Sequence, residues 1–184
     1  SVNIGDLIED GYFEDEYELT ILHTNDVHGF YVEGKYDGMG AAKLGAYVDM
    51  MRDDFEDILF LDAGDALQGN NLVTLSKGEY GTQVMNALGY DVMTAGNHEF
   101  DYGKDQLLEL ESMLDFPMIS ANIEYDDGTA FMDPYVIKDM GEFKVGIFGL
   151  ATPETTYKSH PDNTTGLTFI DPNLAAEEMV DELD

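Results

Sequence analysis

Cysteine is absent from this sequence of 184 residues. A chain without cysteine has no disulfide framework, no cysteine-ligated zinc and no thiol nucleophile. Any metal ion that it binds must be held by histidine, carboxylate or amide side chains. Only sites built from nitrogen and oxygen ligands therefore need to be considered.

Long apolar runs are missing as well. No stretch approaches the roughly 18 to 20 apolar residues that a membrane-spanning helix needs, so we expect no insertion into a membrane. The first residues show neither the basic nor the apolar region of a secretory signal peptide. A mature chain from which the leader has been removed would look the same.

Basic residues are scarce: 8 Lys and Arg stand against 39 Asp and Glu, which gives a net charge of −31 spread along the chain. This charge argues against binding to nucleic-acid polymers or anionic membranes, because both are polyanions and no basic patch is visible. An anionic substrate would need positive charge from bound metal ions. The simpler interpretation of the acidic surface is solubility or adaptation to a salty habitat.

The length of the chain suits one domain with a sizeable core. Residues 1–16 are acidic and poor in apolar side chains, which indicates a leader or linker, whereas 17–184 carry the patterns of folded structure. Apolar runs predict strands at 19–24, 58–61, 91–94 and 117–121, and helical spacing predicts helices at 41–52, 80–88 and 104–114. This alternation predicts an α/β fold with a partly parallel sheet.

The C-terminal third adds a hairpin and one more helix. Residues 135–138 and 144–150 flank Met140-Gly141-Glu142 and predict an antiparallel pair of strands. Asp171 and Pro172 begin a helix that runs to the end of the chain without a stop signal, and no strand follows it. We therefore expect an incomplete domain at the C-terminus, and a missing portion of the same protein that activity requires.

Three of the predicted strands end in residue types that bind metal ions. The stretches that follow them are Asn25-Asp26-Val27-His28-Gly29, Asp62-Ala63-Gly64-Asp65 and Gly96-Asn97-His98-Glu99. Ligands of α/β proteins gather outside the carboxyl ends of the strands. The three stretches therefore predict one shared site.

Four of these residues are candidate metal ligands. Asp26 and His28 are two residues apart, so on extended backbone their side chains point the same way and can chelate one ion. Asp65 follows a glycine, which allows its carboxylate to approach two ions closely, and Asn97 offers a neutral oxygen. The alternatives are a turn aspartate at Asp65 and a left-handed turn residue at Asn97.

His98 and Asp101 form a candidate catalytic pair. An imidazole held by a carboxylate has a fixed tautomer and a stabilised charged form, which suits stabilisation of developing negative charge or protonation of a leaving oxygen. The alternative is a structural histidine that caps the helix beginning at Lys104. With the oxygen and imidazole ligands nearby, the set suits two ions such as Mn, Fe or Zn, and two such ions polarise a phosphoryl group.

These motifs resemble those of the calcineurin-like metallophosphoesterases. The fuller wording of residues 21–29, 64–69 and 96–103 is similar to the 5′-nucleotidase branch, which also holds UDP-sugar hydrolases and 2′,3′-cyclic-nucleotide phosphodiesterases. The resemblance covers about residues 17–157. It implies an αββα sandwich with mixed sheets, a second domain that binds the nucleoside, and an extracellular, cell-surface or periplasmic location.

The resemblance also implies a role for each candidate residue. Two divalent metal ions would be held by four side chains: Asp26 and His28 on the first ion, Asp65 bridging both, and Asn97 on the second. His98 would stabilise the transition state, with Asp101 as its partner. The family completes its metal shell with later histidines, and here only His160 follows, beside a proline in a polar loop. His23 lies inside a strand and is interpreted as structural.

The function implied for the intact protein is metal-dependent hydrolysis of nucleotides or related phosphate esters. Three alternatives stay open. The chain by itself binds metal weakly and is not catalytic, the parent protein is a cyclic-nucleotide phosphodiesterase or UDP-sugar diphosphatase, or the chain is an acidic module that binds a partner through its surface.

Overall fold

A four-stranded parallel sheet lies at the centre of the structure, a computed structural model that describes residues 17–34 and 38–184. The strands are β1 (Thr20–Thr24), β2 (Ile58–Asp62), β3 (Val92–Thr94) and β4 (Met118–Ile119). They lie in the order β1-β2-β3-β4, and each pairs in parallel with its neighbour. The four predicted strands are confirmed, although β4 is shorter than expected. The predicted acidic leader lies outside the described residues.

Helices cover one face of this sheet. They are α1 (Ala41–Asp54), α2 (Asn71–Leu75), α3 (Glu79–Leu88) and α4 (Lys104–Met113). Val48 of α1 and Leu107 of α4 are buried against the sheet together with Phe60 of β2, and each such side chain contributes roughly 2 kcal/mol to folding. α3 ends at Gly89, whose left-handed conformation terminates the helix as predicted. The short α2 was not predicted, because five residues show too little helical spacing.

Four further strands form two antiparallel pairs. β5 (Ile123–Tyr125) pairs with β8 (Leu167–Phe169), and β6 (Tyr135–Asp139) pairs with β7 (Lys144–Phe148). The second pair is the predicted hairpin, whereas β5 and β8 are each three residues long and show no alternation that would predict them. The hairpin lies on the sheet face opposite the helices, across a groove lined by Ile21, Leu61 and Ile147.

The C-terminal segment completes a fourth layer. It contains α5 (Thr155–Lys158) and α6 (Pro172–Leu183), and 3₁₀ helices span His98–Tyr102 and Pro161–Thr164. α6 begins as predicted, since the Asp171 side chain accepts a hydrogen bond from the Asn173 N–H at 2.8 Å. It packs on the hairpin so closely that a Cβ on Gly146 would lie 3.1 Å from the Leu183 side chain. Helices, parallel sheet, hairpin and α6 thus follow the predicted αββα order.

Among the described residues, no helix has both the length and the apolar character required to cross a bilayer.

Candidate metal centre

The candidate site lies where β1, β2 and β3 end. The loop after β1 carries Asp26 and His28, the loop after β2 carries Asp65, and the loop after β3 carries His98. Backbone hydrogen bonds join the first two loops: the Asp26 N–H donates to the Gly64 carbonyl at 3.0 Å, and the His28 N–H donates to that of Asp65 at 2.9 Å. Parallel pairing therefore brings the three motifs to one edge of the sheet, as predicted.

The backbone is left-handed at three of the four predicted ligands, whereas Asn97, for which a left-handed turn was the alternative, has a right-handed conformation with a φ of −74°. Asp26, His28 and Asp65 have φ angles of 51°, 49° and 59°, and Lys77 is the only other non-glycine residue in the described ranges with positive φ. This conformation costs an L-residue roughly 1 to 2 kcal/mol, and such strain concentrates at functional sites. The extended backbone assumed for Asp26 and His28 is therefore wrong, because a turn presents these side chains.

Three side chains form a cluster of possible metal ligands. One donor atom from each of His28, Asp65 and His98 lies within 4.8 Å of the other two, and the two imidazole rings meet edge to face with centroids 5.0 Å apart. Asp26 lies at the rim, with its Oδ1 3.9 Å from His28 Nε2 and 62% of its side chain exposed. Imidazole and carboxylate donors without sulfur fit Zn, Mn or Fe ions.

Asn97 and His98 lie next to each other at the start of the 3₁₀ helix that follows β3. Asn97 is half-buried and immediately precedes the 3₁₀ helix that begins at His98, and its side chain forms no capping hydrogen bond there. His98, which the resemblance assigns to catalysis, lies inside the cluster of possible ligands. Of the four predicted ligands, the structure thus brings His28 and Asp65 together with His98, and Asp26 lies at the rim of this group.

His98 is held by the predicted carboxylate partner. Its Nδ1 lies 2.7 Å from Asp101 Oδ2, which leaves Nε2 as the free ring nitrogen. Burial lowers the pKa of His98, but the hydrogen bond to Asp101 and the surrounding carboxylate charges outweigh burial and raise the pKa above its ordinary value. Asn163 supports the pair from the C-terminal segment, because its Nδ2 donates to the Asp101 backbone carbonyl at 3.0 Å.

Two glycines allow the loops after β2 and β3 to touch. A Cβ on Gly64 would lie 2.6 Å from the Gly96 nitrogen, and a Cβ on Gly96 would overlap Asp65 Oδ1. Gly64 also has a φ of 98°, a conformation that favours glycine. The glycines of the two motifs are therefore required by contact between the loops themselves.

Glu99 is a residue of the site to which no sequence pattern assigned a role. Its side chain is 1% exposed, and its carboxylate accepts hydrogen bonds from the N–H groups of Asp65, Ala66, Leu67 and Gly96. Three of these donors lie 32 to 34 residues earlier in the chain. A contact over that separation leaves no local signal, so the sequence could not reveal it.

A second buried acid, Asp62, closes β2 below the site and is 3% exposed. It accepts hydrogen bonds from the Thr24 hydroxyl and from the Gly64 N–H, and Thr24 Oγ1 lies 2.7 Å from the Tyr90 hydroxyl. Burial raises the pKa of Asp62 to about 7; the hydrogen bonds lower it, and neighbouring carboxylates raise it. The strand end thus carries an acid that titrates near neutral pH.

The two other histidines of the chain do not join the cluster. His160 is exposed, and its Nδ1 accepts a hydrogen bond from the Asp162 N–H at 3.3 Å in a polar loop. His23 is exposed on β1 and lines the groove between the parallel sheet and the hairpin.

The chain is similar to a known family and to several known proteins. The sequence profile of the calcineurin-like phosphoesterases matches residues 19–182. A 5′-nucleotidase of Vibrio cholerae is 37% identical over 173 residues, and a 5′-nucleotidase of Bos taurus is 39% identical over 183 residues. Both alignments cover 91% of this chain, but only 31% and 32% of the relatives. The chain thus spans about a third of the length of these proteins.

Solved structures show the same relationship. The 5′-nucleotidase precursor of Thermus thermophilus superposes with a TM-score of 0.80 at 34% identity, over 90% of this chain and 34% of that one. The NAD nucleotidase of Haemophilus influenzae gives a TM-score of 0.79 at 32% identity, over 90% and 32%.

Proposed function

The chain belongs to the calcineurin-like phosphoesterase family, and from this premise we propose that it is the N-terminal part of a metallophosphatase that hydrolyses nucleotides with two divalent metal ions. The observation that carries the proposal is the grouping of His28, Asp65 and His98 within 4.8 Å at the carboxyl ends of parallel strands. Such an edge is where α/β folds bind ligands.

The resemblance to the family supplies the proposed role of each ligand. Asp26 and His28 would hold the first ion, Asp65 would contact both ions, and Asn97 would bind the second. The Asp65 Oδ1 atom accepts the His98 N–H at 2.8 Å, which supports this assignment because it holds the carboxylate next to the Asn97-His98 pair. Bound ions supply Lewis acidity toward a phosphoryl oxygen and lower the pKa of a water molecule.

His98 acts on the phosphoryl group or on the leaving oxygen. With Nδ1 engaged by Asp101 at 2.7 Å, Nε2 is the atom that donates a hydrogen bond to developing negative charge. The pKa of His98 is raised by the Asp101 contact and nearby carboxylates against the effect of burial, a shift toward the protonated form that can donate this hydrogen bond.

The substrate class is taken from the relatives, several of which are named 5′-nucleotidases. A nucleotide monophosphate is the proposed substrate; a cyclic nucleotide or a UDP-sugar is the alternative within the same chemistry. The portion of the protein beyond this chain would bind the nucleoside, and the protein would act outside the cell, at its surface or in the periplasm.

A second candidate function is that this chain by itself binds metal weakly and does not turn over substrate. It is favoured by the outer position of Asp26, whose side chain is 62% exposed, and by the small number of ligands in the cluster. An ion with two or three protein ligands is poorly held.

Phosphate release distinguishes these functions. We would measure it from 5′-AMP, 2′,3′-cyclic AMP and UDP-glucose with Mn²⁺ or Zn²⁺, using this chain and a version extended to the length of its relatives. Turnover by the extended protein, abolished by Asp65→Ala, is the expected result, and the preferred substrate defines the subclass. If neither version releases phosphate although both bind metal, the nucleotidase assignment is wrong.

A further inference from the structure

Glu99 joins two loops through backbone hydrogen bonds alone. Its Oε2 accepts the N–H of Asp65 and the N–H of Gly96, both at 2.8 Å. Its Oε1 accepts the N–H groups of Ala66 at 2.9 Å and Leu67 at 3.0 Å. One carboxylate from the loop after β3 therefore binds three consecutive amides of the loop after β2.

The contact is reciprocal. Asp65, on the loop after β2, accepts the His98 N–H at 2.8 Å, while Glu99, on the other loop, accepts the Asp65 N–H. Between them Gly64 and Gly96 lie in backbone contact, since a Cβ on Gly64 would be 2.6 Å from the Gly96 nitrogen. Each loop thus contributes one carboxylate that accepts a backbone N–H of the other loop, on either side of the contact between the two glycines.

The backbone N–H groups replace the hydrogen bonds to water that the Glu99 carboxylate loses when it is buried. Burial raises the pKa of Glu99, whereas the N–H donors from Leu67, Asp65 and Gly96 oppose that shift. Within the described ranges, no ion pair with Lys or Arg involves Glu99. The carboxylate is therefore satisfied by the amides of the two metal-binding loops, and these amides depend on it in turn.

We propose that Glu99 is a positioning residue, which sets the separation between Asp65 and the Asn97-His98 pair before any ion binds. The inference rests on the proposed function, because it concerns residues assigned there to the metal ions. A mutation that breaks a merely stabilising contact weakens the fold, whereas loss of Glu99 should change how the folded chain binds metal.

The wild-type chain gives the first test. Amide hydrogen exchange, followed by NMR in metal-free buffer and with Zn²⁺, should show the N–H groups of Asp65, Ala66, Leu67 and Gly96 already protected without metal. Protection that develops only after Zn²⁺ is added would show that the ion, and not Glu99, orders the loops, and would overturn the proposal.

Glu99→Gln gives the second test. The side chain keeps its shape, but its amide nitrogen cannot accept hydrogen bonds, so one pair of N–H groups loses its acceptor. We expect Mn²⁺ affinity measured by calorimetry to fall at least about tenfold and exchange of the released amides to accelerate. Asn122→Ala is the matched control: Asn122 is 0% exposed and its Nδ2 donates to the carbonyls of Ala151 and Ile170.

The control variant Asn122→Ala and the ligand variant Asp65→Ala distinguish failure of the positioning role from failure of the proposed metal site. Asn122→Ala should lower the unfolding temperature and leave Mn²⁺ affinity unchanged. If Glu99→Gln binds Mn²⁺ as the wild type does, or if Asn122→Ala loses as much affinity, the positioning role is wrong. Asp65→Ala distinguishes the two failures. If this variant binds Mn²⁺ as tightly as the wild type does, the metal site itself is refuted. If Asp65→Ala loses Mn²⁺ affinity and Glu99→Gln does not, only the positioning role is refuted.

Discussion

The loops after β2 and β3 are joined by hydrogen bonds from backbone N–H groups to the Asp65 and Glu99 carboxylates, whereas the loop after β1 carries an aspartate, Asp26, that is largely exposed to solvent. We call the loops after β2 and β3 the inner side of the site and the loop after β1 the outer side. On the inner side, Asp65 accepts the His98 N–H, and the Glu99 carboxylate accepts hydrogen bonds from four backbone amides. On the outer side, the Asp26 side chain is 62% exposed, and its Oδ1 lies 3.9 Å from His28 Nε2, beyond hydrogen-bond distance. The backbone of the loop after β1 is tied to the loop after β2, and the His28 ring packs edge to face on His98, whereas the Asp26 side chain accepts a hydrogen bond from its neighbour Asn25.

This difference distinguishes the side chains that folding alone positions from a side chain that metal binding must position. The inner side has its ligands in place through contacts that the folded chain makes by itself, so their ordering entropy is lost during folding. The exposed Asp26 side chain, a proposed ligand, would lose that entropy only on binding an ion. Substitutions on the inner side should therefore have the larger effects.

His98→Asn should have the largest effect, because it removes the proposed catalytic group. We expect turnover of 5′-AMP by the extended protein to fall about 100-fold to 10,000-fold, while Mn²⁺ affinity stays close to that of the wild type. His160→Asn is the control, since that histidine is exposed and outside the cluster. A loss of Mn²⁺ affinity as large as the loss of turnover would make His98 a ligand instead.

Asp62→Asn measures how much the buried Asp62 carboxylate at the end of β2 lowers the free energy of unfolding. Asp62 has a pKa of 3.8 when unperturbed and about 7 in the folded chain, raised chiefly by burial. Between these values the folded state binds more protons than the unfolded state, so this acid lowers stability as pH rises. The stability of the variant relative to wild type should rise between about pH 4 and 7 and be greater by on the order of 2 kcal/mol above pH 7.

Urea unfolding at several pH values provides that measurement, in metal-free buffer. The difference between the two proteins isolates Asp62 from the many other carboxylates of the chain. Asp26→Asn serves as the outer-side control, and it should change stability by less than about 0.5 kcal/mol because exposed positions contribute little. Parallel stability curves for Asp62→Asn and wild type would mean that the acid is not strained by burial.

The sequence predicts the site through local signals and misses what depends on distant contacts. Apolar runs that end in Asp, His and Asn located β1, β2 and β3 and the residues that follow them, because parallel strands bring their ends to one edge. Glu99 and Asp62 carry no such signal, since their importance arises from burial against loops more than thirty residues away or against another strand.

Backbone conformation and short elements were missed for related reasons. The left-handed turns at Asp26 and His28 are imposed by hydrogen bonds to the loop after β2, which no pattern within residues 25–29 reveals. β5 and β8 form only because they pair with each other across more than forty residues. Local periodicity finds elements that are long or bounded by turn residues, and these are neither.

Asp26→Asn should have a smaller effect on the site than His98→Asn. Asparagine keeps one ligand oxygen but removes a negative charge, so we expect Mn²⁺ affinity to fall about tenfold, less than for Asp65→Asn, measured by calorimetry. Asp162→Asn is a matched control, because Asp162 is 90% exposed and also lies close to a histidine, 3.7 Å from His160 Nδ1. An equal loss in both variants would reflect only the reduced net charge. A loss for Asp26 as large as for Asp65 would show that the outer side contributes as much to binding as the inner side, and the contrast between them would then concern folding alone.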